Sequence, residues 1–139
     1  MKKIFVLIII LLNLNLQALS ADFNNVKFIK NHDGDTMIFD LGANLPNIFR
    51  FIPVRLYGID TPEVSTKNQA EKARGLMVQK FVNYSLSNSQ FISLVNCKDD
   101  KYFRLNCTVI YDNKNLTTEL LNRGFGYAYF GGTKQKINH

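Results

Sequence analysis

The chain has 139 residues, with 17 Lys and Arg against 11 Asp and Glu and a net charge of +6. That length points to one domain, and no internal repeat, low-complexity tract or linker divides it. The positive excess suits an anionic partner such as nucleic acid, and the absence of Trp argues against a barrel that stacks sugar rings on exposed indoles.

Residues 1–21 read as a secretory signal peptide. Lys2 and Lys3 form the basic start, residues 4–12 an unbroken apolar run, and Ala18-Leu19-Ser20-Ala21 a small-residue cleavage site after Ser20 or Ala21. The alternative is an uncleaved anchor, but the run falls short of the roughly 20 apolar residues that span a bilayer. No Cys lies near the cut to take a lipid. Cleavage leaves a domain at 22–139 with a net charge of +4, located outside the cytoplasm, either extracellular or periplasmic, and without a membrane attachment.

Residues 26–30 alternate apolar and polar as a half-buried strand does. Asp33-Gly34-Asp35 signals a turn, residues 36–41 a second strand, and residues 42–47, with Pro46, a loop. Residues 48–59 are strand-like, with Pro53 demoting part to an edge or bulge, and Asp60-Thr61-Pro62-Glu63 ends the run. Ala70, Ala73, Met77, Phe81 and Tyr84 fall at helical spacing and predict a helix over 68–86. Residues 91–96 and 105–111 are β-branched and aromatic strands, 112–115 a turn, and 116–123 a short helix stopped by Gly124. The order β-β-β-α-β-β-α predicts an α+β, mainly β fold: a five-stranded Greek-key barrel of the OB type, with a helix between strands 3 and 4 and a short helix after strand 5.

Cys97 and Cys107 are the two cysteines. In an exported chain they suit a disulfide across neighbouring strands; two buried thiols are the alternative.

Three segments place charge where turns are expected. Asp33-Gly34-Asp35-Thr36 offers two carboxylates to a hard cation, or is an ordinary turn. Arg55-Leu56-Tyr57-Gly58-Ile59-Asp60-Thr61-Pro62-Glu63 places an Arg in an apolar strand that ends in carboxylates. Strict alternation puts Arg55 and Asp60 on opposite faces, so a shared site requires the strand to end or bulge near Gly58. Asp99-Asp100-Lys101-Tyr102-Phe103-Arg104 reads as a solvated hairpin tip by composition. Together they supply what phosphodiester hydrolysis needs: a cation and two guanidinium forks for the charge gathering on phosphate oxygens, and a carboxylate for the attacking water.

These segments, in this order and spacing, resemble the three signature motifs of the staphylococcal-nuclease-like family (thermonucleases), over about residues 26–130. The resemblance implies an OB barrel that cleaves DNA and RNA with Ca²⁺ to leave 3′-phosphate ends. It implies Asp35 and Asp60 as carboxylate ligands and Thr61 as a carbonyl ligand of Ca²⁺, with Asp33 in the outer shell. Arg55, Glu63 and Arg104 are then catalytic: two phosphate clamps and the residue that activates or positions water. Lys101 and Tyr102 match positions near the bound nucleotide. DNA and RNA are the expected partners, and no stable protein partner is inferred.

Two departures stand out. Phe103 replaces the family's usual Gly before Arg104. The polar stretch 131–139 stands where the family continues into a further helix, and Phe125, Tyr127, Tyr129 and Phe130 would then lack that helix as cover. The competing reading is a non-catalytic OB module that binds nucleic acid; such modules usually lack several of the charged residues present here. His32 precedes the acidic turn and is expected to be a solvated turn residue.

Overall fold

The computed structural model describes residues 20–101 and 103–134. The predicted signal peptide thus lies outside the described residues except at its last two positions, and Tyr102 lies outside as well. The fold is mainly β with a few helices. The strands are β1 (Ala21–Asn24), β2 (Lys27–Asn31), β3 (Thr36–Asp40), β4 (Phe51–Leu56), β5 (Gly58–Asp60), β6 (Ile92–Asp100), β7 (Arg104–Tyr111), β8 (Lys114–Asn115) and β9 (Tyr127–Tyr129). The helices are α1 (Asn47–Arg50), α2 (Gln69–Ser87) and α3 (Leu116–Asn122).

The main sheet runs β1-β6-β7-β4-β3-β2, with β8 on β7, while β5 and β9 form a second, two-stranded sheet. All neighbours are antiparallel except β4 and β7, whose parallel register sets Arg55 opposite Asn106. The five strands of the expected closed barrel are therefore found as more and shorter pieces, and the hydrogen-bonded sheet is not closed. Backbone breaks explain the extra pieces. Asn25 adopts φ 55° between β1 and β2, and the chain turns at Tyr57 into Gly58, whose φ of 85° opens β5. The two terminal strands of the sheet, β1 and β2, are joined through the chain at Asn25 and Val26 instead of pairing with each other.

Alternation along the strands builds the core: Met37 and Phe39 of β3, Val54 and Leu56 of β4, Leu94 of β6 and Val109 of β7 are all buried. Each such side chain contributes about 1.5–3 kcal/mol by leaving water. Helix α2 starts where Asn68 accepts a hydrogen bond from the Glu71 N–H and caps the first turn. Its inward face differs from the predicted one. Gly75, Val78, Val82 and Leu86 are buried, while Ala70, Ala73, Met77 and Tyr84 face water and Phe81 is only partly covered. The helix carries two apolar stripes, and the one with the glycine wins because it lets the backbone approach closely.

Cys97 and Cys107 are joined by a disulfide between β6 and β7, and both are buried. The bond ties together the two strands that carry the Asp100–Arg104 hairpin. Replacing both cysteines by Ser is expected to cost about 2–4 kcal/mol of stability, the usual effect of losing a native bridge. Urea unfolding of the two proteins measures it, and coincident curves would show that the bridge contributes nothing.

Phe125, expected to lack cover, packs edge-on against Phe81. Tyr127 and Tyr129 are half-buried in β9, whereas Phe130 is 71% exposed.

Candidate active site

The first part of the site is the acidic turn between β2 and β3. Asp33 Oδ1 accepts the N–H groups of Asp35 at 3.2 Å and Thr36 at 2.9 Å, which fixes a tight side-chain-to-backbone turn. Gly34 is required there. A Cβ would lie 2.5 Å from Val78 Cγ1 and 2.8 Å from Thr61 Oγ1, so the turn is wedged between α2 and the segment after β5. Burial, helped by the Asp35 carboxylate, pushes the Asp33 carboxyl up to about 7.

Asp35 reaches across to β4 and β5. Its Oδ2 accepts the Thr61 N–H at 2.8 Å and lies 2.9 Å from Arg55 Nη1. The other end of the same guanidinium, Nη2, is 3.0 Å from Asp60 Oδ1. Arg55 thus bridges two buried carboxylates. The positive φ of Gly58 makes this possible: it interrupts the alternation that would have sent Arg55 and Asp60 to opposite faces. Asp60 Oδ2 accepts the Tyr127 hydroxyl at 2.6 Å. Burial and the carboxylate's charge push that phenol up to about 12.

Glu63 follows on the loop leading to α2 and is about half exposed. Its position is set from below. A Cβ on Gly75 would lie 2.7 Å from the Glu63 carbonyl oxygen and 2.9 Å from that of Pro62, so the helix rests directly on this loop. The Glu71 carboxylate steadies the loop, accepting the Thr66 hydroxyl at 3.0 Å and lying 3.4 Å from the Glu63 N–H.

Arg104 opens β7, and its Nε donates to Asp100 Oδ2 at 2.6 Å. One bond is spent on holding the guanidinium, while its Nη donors make no protein hydrogen bond among the described residues. Phe103 takes φ 59°, a conformation costly for any side chain but glycine. Its ring is 68% exposed and stacks on Phe49 of α1 with centroids 6.5 Å apart. Both arginines line an open cavity of about 410 Å³, with Asp100, Lys101, Asn106 and Tyr129 among the other lining residues. Lys101, the expected nucleotide neighbour, is among the lining residues. Asp33, Asp35, Asp60 and Glu63 do not line it; Asp35 and Asp60 adjoin it through the Arg55 guanidinium they hold.

His32 is exposed, with Nε2 3.2 Å from Ser65 Oγ. Its backbone carbonyl accepts Gln79 Nε2 at 2.7 Å. The structure gives it a loop-bracing part away from the arginines.

The sequence reading missed two groups. Tyr127 belongs to an aromatic cluster whose alternation could have revealed β9 and its pairing with β5. Lys134, whose Nζ lies 3.0 Å from Asp60 Oδ1 and 3.4 Å from Glu63 Oε1, gave no signal in a polar stretch.

The donor set is that of a hard cation: carboxylates of Asp35 and Asp60, backbone carbonyls, and Thr61 Oγ1, which is buried without a hydrogen-bond partner among the described residues. Among the described residues no three His, Cys, Asp or Glu side chains converge as a ready-made cluster, because the Arg55 guanidinium stands between Asp35 and Asp60. Two carboxylates are a sparse ligand set, which fits a weakly held ion.

The raised Asp33 carboxyl has a consequence for stability. In the unfolded chain it ionises near 3.8, but in the fold it holds its proton to about 7. Between those values the native state binds the extra proton, so stability falls as pH rises from about 4 to about 7. In chelator, Asp33→Asn is expected to flatten this part of the urea-midpoint profile. A slope identical to that of the unsubstituted protein would remove Asp33 as its source.

A mainly β scaffold thus brings two guanidinium groups to one open cavity, with two buried carboxylates paired to the first of them. The chain belongs to the staphylococcal nuclease homologue family, whose model matches residues 53–139. It is 29% identical over 128 residues to an uncharacterized endonuclease of Haemophilus influenzae, a match covering 92% of this chain and 65% of that protein. It is 28% identical over 101 residues to a probable endonuclease of Podospora anserina, covering 63% of this chain and 36% of that protein. The chain thus spans less than two thirds of the length of each of these relatives.

Proposed function

We propose that the chain is an exported, calcium-dependent nuclease that hydrolyses phosphodiester bonds of DNA and RNA to 3′-phosphate products. The observation that carries this reading is that Arg55 and Arg104 line one cavity, with Asp35 and Asp60 paired to Arg55 and Glu63 tied to Asp60 through Lys134. Two planar forks bind the phosphate oxygens and hold the charge that grows on them in the transition state. Glu63, on the exposed loop, orients or deprotonates the attacking water. Asp35, Asp60 and the Thr61 carbonyl would hold Ca²⁺, and Asp33 would support Asp35 through the acidic turn. Bound there, the cation supplies further positive charge to the phosphate. Lys101 and Tyr102 would contact the rest of the nucleotide.

Export is supported by the basic and apolar start of the sequence and by the Cys97–Cys107 disulfide, a bond that persists in oxidising compartments. Among the described residues no helix is long and apolar enough to cross a membrane.

Supercoiled plasmid and single-stranded RNA, incubated with the protein in Ca²⁺ and in excess chelator, test the reading. Cleavage in Ca²⁺ is expected, with loss in chelator and recovery on adding Ca²⁺ back at concentrations on the order of 10⁻⁴ M or above, as sparse extracellular sites require. Full activity in chelator would remove the metal. Tight binding without cleavage under any condition would return the protein to the class of nucleic-acid-binding modules.

A further inference from the structure

The chain turns back on itself after β9. Gly131 and Gly132 both have positive φ, 102° and 91°, and Tyr129 Oη donates to the Gly132 carbonyl at 2.8 Å. The turn delivers Lys134 to the carboxylates at the head of the site. Its ammonium is 3.0 Å from Asp60 Oδ1 and 3.4 Å from Glu63 Oε1.

Asp60 is then crowded. Oδ1 faces both Lys134 and Arg55 Nη2, each at 3.0 Å, while Oδ2 accepts Tyr127 Oη at 2.6 Å. A carboxylate oxygen has two lone pairs, so a cation binding at Oδ1 must take a position from one of its donors. They are not equally easy to move. The Arg55 side chain is only 11% exposed and is also held by Asp35. Tyr127 is fixed in a strand paired to β5. Lys134 is 53% exposed and sits on a flexible four-carbon stem.

We propose that Lys134 is a built-in counter-ion for Asp60 and Glu63, which a divalent cation must displace, so that this lysine sets the affinity of the site for metal. The proposal rests on the metal assignment above. In the metal-free protein Lys134 offsets the repulsion between the two carboxylates. When a cation binds, the ammonium is released toward solvent, and the energy of its ion pair is subtracted from the binding energy of the metal. The site would therefore load only where the cation is abundant.

The test is isothermal titration of Ca²⁺ into the metal-free chain at low ionic strength, for the unsubstituted protein, Lys134→Gln and Lys114→Gln. Lys114 lies on β8 and is exposed, so it controls for the change in net charge. Lys134→Gln is expected to bind Ca²⁺ about threefold more tightly, the scale of a half-exposed ion pair, and Lys114→Gln to match the unsubstituted protein. Thermal melts supply a readout that needs no metal. In chelator Lys134→Gln should melt about 1–3 °C lower, and in saturating Ca²⁺ the difference should vanish. Equal Ca²⁺ affinity in the two variants, or coincident melts in chelator, would overturn the proposal alone. Absence of Ca²⁺ binding in all three proteins would remove the metal assignment and the proposal together.

Discussion

Arg104→Ala is expected to lower kcat by at least about a hundredfold, the scale seen when one donor to transition-state charge is lost, while shifting the melting temperature by only a few degrees. The side chain is 29% exposed and its protein bond is to Asp100, itself partly open to water, so little structure depends on it. Arg104→Lys should also be poor, because an ammonium cannot make the two-pronged contact. Arg55→Ala is expected to lose as much activity and, in addition, to destabilise the metal-free protein by roughly 3–5 kcal/mol. It strips the buried Asp35 and Asp60 of their shared cation, and removing one partner of a buried ion pair leaves the rest uncompensated. Added Ca²⁺ should restore part of that stability. Steady-state kinetics beside melts in chelator and in Ca²⁺ separate the two arginines. Near-normal turnover by Arg104→Ala would make the hairpin tip a structural element, and unchanged stability of Arg55→Ala in chelator would contradict the bridging geometry.

Gly75→Ala is the second large effect, and it comes from a residue with no chemistry of its own. The added methyl would meet backbone atoms of Pro62 and Glu63 at 2.7–2.9 Å, and neither side can yield by rotating a side chain. Overpacking of this kind costs about 1–3 kcal/mol. The loop that must move carries Glu63, and a displacement on the order of 1 Å in a catalytic group costs about a hundredfold in rate. The expected signature is a fall in kcat larger than any change in KM, with the folded state retained. Wild-type kcat in Gly75→Ala would mean that the loop relaxes without moving the carboxylate.

Much of the site could be read from the sequence because charge in an apolar context has few explanations. An Arg within β4, bounded by carboxylates, requires a partner, and the structure supplies Asp35 and Asp60. The condition that the strand break near Gly58 for Arg55 and Asp60 to meet is met by a glycine in the left-handed region. The helical segment was also legible, with its start fixed by the Asn68 cap. The inward face of α2 was not, since apolar spacing could not choose between two stripes; the choice was made by close approach at Gly75, which is a tertiary fact. Short strands such as β1 and β8 carry too few residues for a period to appear, and the placement of Lys134 depends on a double-glycine turn whose direction no local pattern encodes.

The parallel contact between β4 and β7 sets when the cavity can form. Arg55 and Arg104 are separated along the chain by α2 and β6, and the cavity they share exists only once β7 has docked beside β4. Non-local parallel pairings of this sort are completed late, because a long loop must close before any contact rewards it. The unfolded chain therefore carries both guanidinium groups but not the cavity they line. The site is thus assembled by the same event that completes the fold.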